Sequence, residues 1–205
     1  MKRLHMLALI GAVVIVLGIA FAGRLGLFAG GEPGRPGAGM PTIGGPFTLT
    51  DQSGRTVTDR DFRGRYMLVY FGYTFCPDVC PTSLSTMATA LEMVPKAVEA
   101  KIQPVFITVD PARDTVDVLK SYVANFHPRL VGLTGTEEQI KDAARKYRVY
   151  FQKADQGKDA AYLMDHSSIV YLMGPDGRFL AHFSHTTPPE QMAETIAKAV
   201  QNGGA

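Results

Sequence analysis

Two cysteines, Cys76 and Cys80, stand four residues apart in the stretch F-C-P-D-V-C-P-T, and they are the two cysteines of a 205-residue chain. On a helical turn, residues i and i+4 share one face, so the two sulfurs can hold one metal ion or close a disulfide. Either outcome is metal or redox chemistry. Cysteine is also a common small core residue, but two inert buried cysteines do not belong in a proline-flanked loop. Cys80 should lie in the first turn of a helix, where unpaired N–H groups favour a thiolate. Asp78, between the cysteines, is expected to act the other way and raise the thiol pKa values.

The flanking elements place this pair. Residues 66–71 (Y-M-L-V-Y-F) are an apolar run bounded by Gly72, the pattern of a strand buried on both faces. The cysteines follow at its C-terminal end, where open α/β sheets form their ligand crevices. Leu84, Met87, Ala88 and Leu91 then repeat at helical spacing.

The chain has 46% hydrophobic and 20% charged residues, the composition of a globular protein with a full core. The net charge is +2, and Lys2, Arg3 and Arg24 supply three positive charges ahead of residue 28, leaving 18 basic and 19 acidic side chains for the remainder. No basic face for nucleic acid is implied.

Residues 6–23 are uncharged and follow Lys2, Arg3 and His5. This is about the minimum length for a membrane-spanning helix, and the small-x-small triplet at residues 20–22 also fits a cleaved signal peptide. The length favours an uncleaved anchor over residues 1–28, with the basic end cytoplasmic and the rest of the chain facing the periplasm. Residues 29–46 hold seven Gly and four Pro and read as a linker. Residues 47–205 form the folded domain.

That domain should open with a hairpin around residues 51–54, continue with the strand at 66–71, and add strands at 105–109 and 130–133, each followed by a helix. This alternation suggests a largely parallel sheet. Leu119, Tyr122, Val123 and Phe126 mark one helix, stopped by Pro128. Thr136 with Gln139, and Thr187 with Glu190, are expected capping boxes. Strands at 169–173 and 179–183 form a second hairpin around G-P-D-G. The sum is an α/β, thioredoxin-like fold: a mixed central sheet of about four or five strands, flanked by helices.

The motifs G-G-P-F-T-L-T-D, Y-F-G-Y-T-F-C-P-D-V-C-P-T-S-L, V-D-P-A-R-D-T, L-T-G-T and D-H-S-S stand in this order. With them the chain closely resembles the Sco (SenC) family of membrane-anchored copper chaperones for cytochrome c oxidase assembly. The resemblance implies that Cys76, Cys80 and His166 bind one copper ion per chain, as Cu(I), Cu(II) or both, and that Asp110 and Asp114 lie beside the site. It implies as partners the copper-site subunit of the oxidase, other exported copper chaperones or thiol reductants, and the membrane itself. It implies a metallochaperone and no enzyme. Val116 stands where the family commonly has proline, which concerns the start of the next helix.

Two thiolates and one imidazole suit copper, whereas a structural zinc site usually takes a fourth protein ligand. Met164 offers a thioether or simple packing, and Asp110 a hydrogen bond near the site or a cap for the next segment. His127, His182 and His185 read as surface residues. Two alternatives remain open: a thiol-disulfide oxidoreductase acting on the oxidase subunit, and a redox or copper sensor. The three-residue spacer departs from the two-residue spacer of thioredoxin motifs, which weighs against the first.

Overall fold

The computed structural model describes residues 42–154 and 162–203. The expected anchor and most of the expected linker therefore lie outside the described residues. The last residues of the Gly/Pro-rich stretch already lie against the fold: the Gly44 amide donates to the Lys146 carbonyl at 2.9 Å, and Ile43 packs on the core.

Strand β3 (Tyr66–Gly72) is the middle of the structure, buried along its whole length. Apolar side chains on both of its faces leave no side for water, so layers must cover both. It pairs in parallel with β4 (Ile102–Thr108) and antiparallel with β8 (Ile169–Met173). The seven-stranded sheet runs β2-β1-β5-β4-β3-β8-β9, with β1 (Thr48–Asp51), β2 (Thr56–Thr58), β5 (Val131–Thr134) and β9 (Phe179–Ser184).

The sheet is larger and less parallel than the sequence pattern suggests. Among the described residues only the β3–β4 and β4–β5 pairings are parallel. Both hairpins join the same sheet, β1–β2 through β5 and β8–β9 through β3. Strand–helix alternation identifies the parallel middle but says nothing of hairpins that add to its flanks.

Alternation along β3 sorts the helices between the two faces. The Tyr66 hydroxyl reaches the Ala199 carbonyl of helix α5 (Pro189–Gln201) at 3.2 Å, and the Tyr70 hydroxyl reaches Cys80 of helix α1 (Val79–Met93). Phe106, level with Tyr70, meets Tyr122 of helix α3 (Val116–Val123). Phe71 points the other way, onto Tyr147 at the end of helix α4 (Glu137–Lys146). A short helix α2 (Lys96–Glu99) links α1 to β4.

The expected capping box at Thr136 forms, with Gln139 Nα donating to Thr136 Oγ1 and Thr136 Nα donating to Gln139 Oε1. The one at Thr187 does not. Helix α5 starts one residue later, with Pro188 as N-cap and Pro189 at the first helical position, and no side chain caps it. Helix α3 ends at Val123, before Phe126.

Candidate metal centre

The turn after β3 carries the sulfurs. Asp114, fully buried, accepts from the Thr74 amide at 3.0 Å, from Thr74 Oγ1 at 2.6 Å and from Thr108 Oγ1 at 2.5 Å. One carboxylate thus ties the start of the cysteine loop to the end of β4, and burial raises its pKa despite these donors. Asp110 accepts from Arg113 Nε and from the Tyr162 hydroxyl, so it joins its own loop to the segment leading toward His166. Both acidic residues hold the surrounding loops through side-chain hydrogen bonds.

Cys80 is the second residue of α1 and is completely buried, while Cys76 is half-buried in the loop before it. The α1 N-terminus is aimed at Cys76, not at Cys80: the Cys80 amide donates to Cys76 Sγ at 3.4 Å. This reverses the expectation that Cys80 would be the thiolate. A hydrogen bond from the Cys80 thiol first, then from the amides of Asp78 and Cys80, holds the Cys76 thiol far below its ordinary range. The negative Cys76 sulfur and burial together push the Cys80 thiol up. Asp78 also differs from expectation. Its side chain is exposed and makes no cap, and the part of it that acts on Cys76 is its stabilising backbone N–H.

His166 comes from outside the main sheet. It ends β7 (Met164–His166), which pairs with β6 (Phe151–Lys153) in a separate two-stranded ladder, Phe151 opposite His166. His166 Nδ1 lies 3.2 Å from the Ser167 carbonyl, which can only accept, so that nitrogen carries the proton. The Nε2 lone pair is left facing Cys80 Sγ at 3.3 Å. The Tyr73 and Tyr70 rings make T-shaped contacts with the imidazole at 5.8 and 6.1 Å between centroids. The ligand atoms of Cys76, Cys80 and His166 all lie within 4.8 Å of one another.

Gly72 makes the close packing under the sulfur feasible. A Cβ there would meet Cys80 Sγ, Phe106 and Tyr70, each at 2.9 Å. Gly72→Ala is expected to destabilise the fold by about 1–3 kcal/mol, an overpacking penalty, measurable by denaturant unfolding. Burial also sets a labelling prediction. Iodoacetamide at pH 6 should alkylate Cys76 and spare Cys80, as read by peptide mass; equal labelling would contradict the assigned thiolate.

Met164 is buried in the core. His182 and His185 are exposed as expected, but His127 is only 7% exposed, and its Nδ1 accepts from the Arg129 amide at 3.1 Å. The sequence reading missed Arg113, whose guanidinium lies 3.7 Å from the Tyr162 ring centroid and 4.7 Å from that of Phe75. Its place in V-D-P-A-R-D-T was the available signal.

The SCO1/SenC family model matches residues 35–201. The chain belongs to the SCO1/SenC family. The mitochondrial SCO1 homolog of Homo sapiens is 43% identical over 160 residues, 78% of this chain and 53% of that protein. The chain spans about half the length of several curated relatives it matches. The Bradyrhizobium japonicum ScoI structure with copper bound is 44% identical, with a TM-score of 0.69 over 76% of this chain and 98% of that one. The copper-bound yeast Sco1 structure is 40% identical, with a TM-score of 0.73 over 78% and 90%. The mixed α/β fold, with its central sheet flanked by helices, is the one these Sco structures have.

Proposed function

We propose that this chain binds one copper ion through Cys76, Cys80 and His166 and delivers it to, or matures, the copper site of cytochrome c oxidase. The convergence of two sulfurs and one imidazole within 4.8 Å carries the reading, and the copper-bound relatives support it. Copper is the cargo. The surroundings of Cys76 favour its anionic form, Cys80 is positioned beside it, and the imidazole presents Nε2, a donor set suited to Cu(I) and acceptable to Cu(II). The residues around the ligands do the holding: Asp114 fixes the loop, and the Ser167 carbonyl fixes the imidazole tautomer.

The same reading places residues 1–28 in the membrane and the site on its periplasmic side. Among the described residues no helix is long and apolar enough to cross a membrane, so this part rests on the hydropathy of residues 6–23. Residues 29–41, ahead of the packed end of the stretch, would reach on the order of 20 Å as a coil, keeping delivery close to the membrane surface.

His166→Ala is expected to weaken Cu(I) binding by at least about tenfold without unfolding the protein, because even outer partners of metal ligands count for that much. A competition titration with a Cu(I) chelator checks it; unchanged affinity removes His166 from the ligand set. The delivery role is tested by oxidase copper content in a deletion strain that expresses the oxidase constitutively. Loss of copper supports delivery, whereas normal copper content would make the protein a sensor. The half-exposed Cys76 thiolate favours thiol-disulfide exchange with the oxidase subunit as the second reading.

A further inference from the structure

We propose that Tyr70 is a positioning residue of the sulfur centre: its hydroxyl donates to Cys80 Sγ and biases the site toward its reduced, Cu(I)-holding form. The contact is 3.7 Å, between two residues that are both 0% exposed. Water cannot compete for the sulfur there, and a hydrogen bond in such surroundings is strengthened.

The donor is held from several sides. Tyr70 sits in the middle of β3, in register with Phe106 on one neighbouring strand and Val170 on the other. Its ring packs against Phe106 at 6.4 Å and makes a T-shaped contact with His166. Gly72, next on the same face, leaves the space that lets Cys80 come down onto the hydroxyl. Tyr122, whose ring also packs on Phe106, provides a contrast: its buried hydroxyl has no hydrogen-bond partner among the described residues.

The consequence follows from charge. The reduced pair shares one negative charge between its sulfurs through the Cys80–Cys76 hydrogen bond, so Cys80 accepts from Tyr70 more strongly than the neutral disulfide does. In exchange with glutathione disulfide, the pair, a Cys76 thiolate and a Cys80 thiol, loses one proton and two electrons and forms one S–S bond, while the glutathione S–S bond breaks to give one thiol and one thiolate, the latter protonated by water. The Tyr70 hydrogen bond opposes that direction. On copper, a hydrogen bond to the thiolate draws electron density from sulfur and favours Cu(I) over Cu(II). This metal arm rests on the copper reading; the glutathione arm does not.

The test compares the full chain with its Tyr70→Phe and Tyr122→Phe variants, each checked for folding by thermal unfolding. In apo protein equilibrated with glutathione, Tyr70→Phe should shift the equilibrium about fivefold toward the disulfide, the effect of one hydrogen bond of ordinary strength. With Cu(II) added, its thiolate-to-copper charge-transfer band should move to lower energy. Tyr122→Phe should match the parent in both. An unshifted glutathione equilibrium in Tyr70→Phe, or an equal shift in Tyr122→Phe, would overturn the proposal. Failure of the parent to bind copper would overturn the proposed function instead, and the glutathione equilibrium would still decide on Tyr70.

Discussion

Oxidation of Cys76 and Cys80 to a disulfide is expected to abolish Cu(I) binding, lowering affinity by at least about a thousandfold, since losing a mere outer partner already costs about 10–100-fold. The two sulfurs lie within 4.8 Å of each other and of His166, and in the structure they are free thiols. Closing the bond removes both anionic donors at once. What remains is one imidazole, which cannot hold Cu(I) alone at useful affinity. In an exported compartment the disulfide would accumulate unless a reductant restored the thiols. The measurement is a Cu(I) competition titration on oxidised apo protein, with loss of two hydrogens confirmed by mass, repeated after reduction. Equal affinity in both states would remove the cysteines from the ligand set and with them the proposed function.

Replacing either cysteine by serine should also eliminate tight copper binding, but the two variants should separate in stability. Cys80 is completely buried, against Tyr70 and the empty face of Gly72. Serine there exchanges an apolar, polarizable sulfur for a hydroxyl cut off from water, at a cost of about 1–3 kcal/mol. Cys76 is half-buried in the loop, and its replacement should cost less than about 1 kcal/mol. Denaturant unfolding of the two apo variants measures the difference. A Cys76→Ser protein as destabilised as Cys80→Ser would mean that the loop, and not the helix start, anchors the site.

The parts of this architecture visible in the sequence are those whose signal is local. The run around Tyr70 announces a buried strand because apolar side chains occupy both faces. Thr136 and Gln139 bond to each other across three residues, so their types alone identify the cap. The pair β6–β7 is different. Three residues each, F-Q-K and M-D-H, carry no periodicity, and their pairing exists only because the intervening chain returns. The sequence therefore places His166 merely ahead of β8, and the strand that presents it emerges only in three dimensions.

Thiol electrostatics was hidden for a related reason. A cysteine in the first helical turn is a reasonable thiolate by position, yet the amide that matters points back to the residue four earlier. Pro104 masked the start of β4, since proline ordinarily argues against a central strand. It is tolerated here because β5 begins pairing only at Val105, one residue later.

The unequal exposure of the two sulfurs dictates an order of events. An incoming thiol or thiolate of another protein can touch Cys76 but is barred from Cys80 by α1 above and the Tyr70 ring below. Any mixed disulfide must therefore form at Cys76, and Cys80, already within reach, is the group that resolves it. For a metal passed between proteins the same geometry makes Cys76 the first ligand exchanged and Cys80 the last released. In a transfer of that kind the order of ligand exchange would be set, and a receiving protein would need only one free sulfur to begin it.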